Sequence, residues 1–131
     1  MILGINGLNL VELNVSCNKK ISDISSMHNL KILKIKGISG IDQQNIKNLN
    51  LITLDASNNH KITDVSEIIS LKNLVTKGIY GIDQLGIKGL NLIFLDATHN
   101  DKITELSFLE KILQLLVNVK LNQISGLNQY K

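Results

Sequence analysis

In the stretch 49–63 the apolar residues fall at Leu51, Leu54, Ala56 and Ile62, with Asn59 between them, in the spacing L-x-x-L-x-A-x-x-N-x-x-I. The period is too short for a helix face, and it breaks into a polar turn. It predicts a short strand over 53–57 whose alternate residues point inward, followed by a turn anchored by an asparagine. The same stretch recurs at 8–22 and at 90–104.

Sliding the chain by 41 residues aligns it with itself without a gap. Residues 8–48 match 49–89 at 22 of 41 positions, and the match continues from Leu90 to about Leu106. The opening Leu3-Gly4-Ile5-Asn6-Gly7-Leu8 echoes Leu85-Gly86-Ile87-Lys88-Gly89-Leu90, so the chain starts with the tail of a preceding unit. Each unit splits into an A half and a B half: Leu10-x-x-Leu13-x-Val15 returns as Leu30-x-x-Leu33-x-Ile35, and Leu51-x-x-Leu54-x-Ala56 as Leu71-x-x-Leu74-x-Thr76. Internal repetition at this period indicates stacked supersecondary units that share one core.

The halves differ after the strand. A halves carry Asn18, Asn59 and Asn100; B halves carry Ile38, Ile79 and Ile124 inside Gly-Ile-x-Gly-Ile-Asp-Gln or its variant. A buried asparagine column bonding neighbouring backbone is expected, interrupted at every second turn by a larger buried apolar residue. Gly37 and Gly78 are expected to give the B turns a different backbone path. The last B half has four extra residues between about Ser107 and Leu116. Ser107 followed by Glu110 and helically spaced apolar residues predicts a longer convex helix over 107–116.

Tandem units with L-x-x-L-x-L-x-x-N resemble the leucine-rich repeat, over almost the whole chain from Leu3 to Tyr130. Lys20-Ile21-Ser22-Asp23 and Lys61-Ile62-Thr63-Asp64 resemble the short repeats of internalin-type proteins. The alternation of halves also resembles repeat proteins of large amoeba-infecting viruses and some protists. The B halves depart from the family pattern in lacking the asparagine, and no polar cap is visible at either end. The resemblance implies an α/β solenoid, right-handed and curved, with six turns: short parallel strands on the concave side, turns and short helices on the convex side. One domain is expected over 1–131, built from double repeats at 8–48, 49–89 and 90–131. It further implies a scaffold that binds a protein partner, and ends without caps imply a homodimer contact, an atypical terminal turn or a fragment of something longer.

Composition narrows this picture. The chain is 44% hydrophobic but 3% aromatic, so the core is built of Ile and Leu. Its fourteen basic residues are all Lys, and Pro and Trp are absent. With abundant Ile and Asn, this fits an A/T-biased coding sequence of viral or protist origin. A net charge of +3 does not point to nucleic acid or an acidic membrane. The single Cys17 excludes an internal disulfide and fits a reducing compartment. The N-terminus lacks a basic region, and no apolar run approaches a membrane span of about 18 residues. The expected location is cytoplasmic, in the host cytoplasm if viral.

The outward strand residues form columns: Glu12, Ile32, Thr53, Asn73, Phe94, Asn118; then Asn14, Lys34, Asp55, Val75, Asp96, Lys120; then Ser16, Lys36, Ser57, Lys77, Thr98, Asn122; then Cys17, Gly37, Asn58, Gly78, His99, Gln123. Lys34 falls beside Asp55 and Asp96 beside Lys120, a charge ladder that largely neutralises itself. Phe94, near Val75, is an aromatic on an otherwise polar face: either it anchors a partner, or it packs over the edge of its own sheet and binds nothing. The candidate partner-binding residues are Lys34, Lys36, Thr53, Asp55, Val75, Lys77, Phe94, Asp96, His99 and Lys120. Within 49–63, Thr53, Asp55, Ser57 and Asn58 are expected to remain free for contact.

Other chemistry is absorbed by the repeat. Asp23, Asp64 and Glu105 occupy one equivalent position, which explains them as turn formers. His28, His60 and His99 do not coincide in the repeat, and the further ligands a metal needs are missing. Cys17 has no base beside it. Gly-Ile-x-Gly-Ile-Asp lacks the Gly-Lys-Ser/Thr of a phosphate loop. The chain is therefore expected to be no enzyme and to need no cofactor or metal. It is expected to be a protein–protein interaction module binding through its concave face. The alternative is the substrate-reading fragment of an adaptor such as a ubiquitin-ligase receptor.

Overall fold

The computed structural model describes residues 8–105. Five three-residue strands form one parallel sheet in chain order: β1 (Glu12–Asn14), β2 (Ile32–Lys34), β3 (Thr53–Asp55), β4 (Asn73–Val75) and β5 (Phe94–Asp96). Every neighbouring pair is in the register the repeat dictates, so Leu13, Leu33, Leu54, Leu74 and Leu95 lie side by side. The chain is a solenoid of parallel strands, winding about four turns over the described residues. The described residues thus show about four of the six turns expected. The sixth half-unit, the helix expected over 107–116 and Lys120 lie outside the described residues.

Alternation works as the sequence requires. The leucine row and the next row, Val15, Ile35, Ala56, Thr76 and Ala97, face inward, and all but Leu13 are buried. The ladder continues past the strands. Val15 N donates to Lys34 O (2.9 Å), Ile35 N to Asp55 O (2.8 Å), Ala56 N to Val75 O (2.9 Å) and Thr76 N to Asp96 O (2.9 Å).

The return side carries far less helix than expected. Among the described residues it holds one four-residue helix, α1 (Gln43–Ile46), and a 3-10 turn at Leu85–Ile87. The spacing of apolar residues explains why. Ile24, Met27 and Leu30 are three apart, and so are Val65, Ile68 and Leu71. Each triplet closes by successive i to i+3 bonds, such as Met27 N to Ile24 O (3.0 Å) and Leu30 N to Met27 O (3.1 Å). One side chain is buried per turn, and the i to i+4 bonds of an α-helix have no run in which to start. Helix α1 forms where Asp42 caps it, its carboxylate accepting from Asn45 N (3.2 Å).

The asparagine column exists in the A halves. Asn59 is buried, and its amide donates to Ile35 O (2.8 Å) while its oxygen accepts from Lys61 N (3.0 Å). Buried Asn100 donates to Thr76 O and Ile82 O (both 3.0 Å) and accepts from Lys102 N (3.0 Å). Each therefore ties the preceding B turn to its own turn. The expected apolar interruption is corrected: Ile38 and Ile79 are 53% and 56% exposed. The loop bulges outward there, and the buried polar role in the first copy passes to Ser39, whose Oγ accepts from Ile41 N (3.2 Å).

The glycine expectation is corrected as well. Cys17, Asn58 and His99 have φ of 58°, 54° and 62°, so the A turns pass through the same left-handed conformation as Gly37 (71°) and Gly78 (94°). What sets the glycines apart is the side chain stacked on them. A Cβ on Gly78 would lie 1.9 Å from Asn58 Oδ1, and one on Gly37 would lie 2.9 Å from Cys17 Sγ. Side chain and glycine thus alternate along the column. Gly78→Ala is expected to cost about 2 kcal/mol or more, combining left-handed strain with displacement of Asn58. In an Asn58→Ala background the cost falls toward the strain alone, about 1–2 kcal/mol. A denaturant-melt double-mutant cycle reads the difference; additivity would remove the contact from the explanation.

Candidate functional site

Among the described residues no group of three or more His, Cys, Asp or Glu side chains is placed to hold a metal. No helix among them is long and apolar enough to cross a membrane. The surface is best built from what each outward side chain is already doing.

Asp55 and Asp96 are half-buried at the ends of β3 and β5. Asp55 Oδ1 accepts from Ser57 N (3.1 Å), and Asp96 Oδ1 accepts from Thr98 N (3.1 Å) and Thr98 Oγ1 (2.6 Å). Asn14 does the same for Ser16 N (3.1 Å). These side chains close the turn after each A strand. Lys34 and Asp55 are register partners, as the sequence implies, but no ion pair joins them. The second carboxylate oxygen of Asp55 remains available to a partner.

Ser57 is not free, contrary to expectation. It is 5% exposed, and its Oγ accepts from Lys77 N (3.0 Å), as Ser16 Oγ does from Lys36 N (3.0 Å). Thr53 Oγ1 accepts from Asn73 Nδ2 (3.1 Å), which ties two adjacent strands across the outward face. Asn58 is exposed but lies over Gly78.

The remaining candidates are freer. Lys36 and Lys77 are exposed, their backbone amides fixed by the serines while their ammonium groups extend outward. Phe94 is 39% exposed on β5, in register with Asn73, and Val75 lies half-buried two residues along the same neighbouring strand. His99 is exposed beyond the β5 turn. The structure therefore brings Val75, Phe94 and Asp96 together on two adjacent strands, and spaces Lys36 and Lys77 two turns apart on one column.

Asp23 and Asp64 behave as turn formers. Asp23 Oδ1 accepts from Ser25 N (3.1 Å) and Ser25 Oγ (2.7 Å), and Asp64 Oδ1 from Ser66 N (2.8 Å) and Ser66 Oγ (2.6 Å). The bond from the Ser25 hydroxyl, followed by that from its backbone amide, holds the Asp23 carboxyl below its usual range. What this turn contributes is present above the ordinary carboxylate pKa and is lost as pH falls through the depressed one.

Sequence reasoning did not single out the glutamines as contacts. Gln43 Oε1 accepts from Thr63 N (3.0 Å) and Asp64 N (3.1 Å), and its amide donates to Asp64 O. Gln84 repeats this one unit later on Thr104 N, Glu105 N (both 2.9 Å) and Glu105 O (2.8 Å). The signal was the recurrence of Gln at 43 and 84 after Asp in the first two B halves. The outward residues just before each strand were also passed over: Val11, Lys31, Ile52, Lys72 and Ile93.

Comparison with protein-family models, with curated proteins and with solved structures finds no match to this chain.

Proposed function

We propose that the chain is a non-enzymatic interaction module of the leucine-rich-repeat type, which binds a protein partner across the outward face of its sheet. The repeat type is supported by the L-x-x-L spacing, the in-register leucine row and the asparagines that bond the preceding turn. The observation that carries the binding reading is Phe94. An aromatic side chain on the outward face of β5, left exposed beside Val75 and within two residues of Asp96, offers an apolar anchor with a charged surround. Lys36 and Lys77 extend the charged rim of that face.

The test compares partners captured from native lysate by the wild type, Phe94→Ala and Lys77→Glu, with circular dichroism confirming that each variant folds. Phe94→Ala is expected to weaken a specific partner by about 2 kcal/mol, roughly thirtyfold. Lys77→Glu is expected to weaken it less and to change its salt dependence. Identical partner sets and affinities for all three would overturn the reading.

A further inference from the structure

The column just before the strands reads Val11, Lys31, Ile52, Lys72, Ile93: aliphatic in all three A halves and lysine in the first two B halves, with Val117 at the equivalent position of the third. Its backbone forms a continuous spine. Lys31 N donates to Val11 O (2.8 Å), Ile52 N to Lys31 O (2.8 Å), Lys72 N to Ile52 O (2.9 Å) and Ile93 N to Lys72 O (2.8 Å). Each of these carbonyls also accepts from the first residue of the next strand: Ile32 N, Thr53 N, Asn73 N and Phe94 N at 3.0–3.2 Å. The column is thus pinned at the strand spacing.

Its side chains are not used by the fold. Val11, Ile52 and Ile93 are 57%, 36% and 46% exposed, although they are β-branched aliphatics repeated at one position. Lys31 and Lys72 are half-buried, and neither ammonium has a carboxylate partner among the described residues. The carboxylates of Asp55 and Asp96 sit at the opposite ends of the strands, engaged in turns. The column is cationic and apolar by turns, and the next column, Glu12, Ile32, Thr53, Asn73 and Phe94, adds two apolar residues, with its one carboxylate at the β1 end.

Spacing selects the occupant. Alternate turns lie about 9.6 Å apart, twice the strand separation. A polyproline II segment repeats every three residues, about 9.3 Å. A strand repeats its face at about 6.8 Å, and two turns of an α-helix rise about 10.8 Å. We propose that this column docks an acidic polyproline II segment of a protein partner, lying across the strands with a carboxylate every third residue opposite Lys31 and Lys72. Proline rings between the acids cover Val11, Ile52, Ile93 and the edge of Phe94. From Val11 to Ile93 is about 19 Å, which six or seven such residues span. The segment needs no folding on binding, so little ordering entropy opposes it. This rests on the reading of the chain as a protein-binding module and specifies one kind of partner for it.

The test is fluorescence anisotropy with a labelled peptide repeating Glu-Pro-Pro, about nine residues long, at low salt. It is expected to bind, to bind about tenfold more weakly to Lys31→Glu/Lys72→Glu, and severalfold more weakly to Ile52→Ser. Lys61→Glu, outside the column, is expected to leave binding unchanged. A peptide repeating Glu-Pro, with equal or greater charge but the wrong period, is expected to bind severalfold more weakly. No binding, equal affinity for both periods, equal affinity for a short oligothymidylate, or an unaffected double variant would each overturn the proposal. If partners captured through Phe94 persist while the peptide fails, the docking column falls and the interaction module stands.

Discussion

Removing one whole unit, residues 49–89, is expected to leave a folded solenoid, whereas removing the A half alone, residues 51–70, is expected to abolish cooperative folding. The whole-unit deletion joins residue 48 to Leu90, the same junction type as Asn48 to Leu49, and sets β5 beside β2. Every interface that remains is one the chain already contains: Gly37 receives Thr98 where it had Ser57, and Asn100 takes the place of Asn59 over the Ile35 carbonyl. The half-unit deletion stacks B on B. Ile35 O then faces Ile79 where it had the amide of Asn59, and the backbone of Thr63 and Asp64 that Gln43 holds is gone. The buried Ile35 carbonyl loses its partner at about 1–3 kcal/mol, and the Gln43 tie between turns is lost with it, a large share of the stability of a small domain. Thermal melts followed by far-ultraviolet circular dichroism read both outcomes. A sharp transition in the half-unit deletion, or none in the whole-unit deletion, would refute the two-part repeat.

Asn59→Ala is expected to destabilise the chain by about 3–4 kcal/mol, more than an average buried substitution. The side chain is 1% exposed and serves two turns at once, donating to Ile35 O and accepting from Lys61 N. Alanine leaves an acceptor and a donor unpaired in the interior and opens a small void. Asn18→Ala is expected to cost about 1–2 kcal/mol, because Asn18 is only half-buried and accepts from Lys20 N and Ile21 N near water. Equal midpoints for the two variants in urea melts would mean that burial does not set the value of this column.

The strands and their register were legible because Leu51-x-x-Leu54-x-Ala56 fixes which side faces the core, and a one-residue slip would expose Leu54. The roles of Asp23 and Asp64 were legible because repetition separates a turn former from a catalyst. The scarcity of helix was harder to read. A spacing of three, as in Ile24, Met27 and Leu30, serves a helix face and a chain of isolated turns equally, and the choice depends on bonds between turns. Ile38 misled because it aligns with a buried asparagine; alignment cannot show that the chain bulges outward at that point. Ser57 and the two glutamines were passed over for the same reason. Their partners, Lys77, Thr63 and Thr104, belong to the next half-unit, and single-sequence periodicity does not reveal which polar atom meets which.

The reach of each asparagine into the preceding turn also bears on how the molecule is made. The longest hydrogen bonds named above join residues 24 apart, from Asn59 to Ile35 and from Asn100 to Thr76. Each new turn completes its bonds to chain already synthesised, with no distant segment to await. A nascent chain can therefore wind as it leaves the ribosome, each half-unit serving as the template for the one behind it.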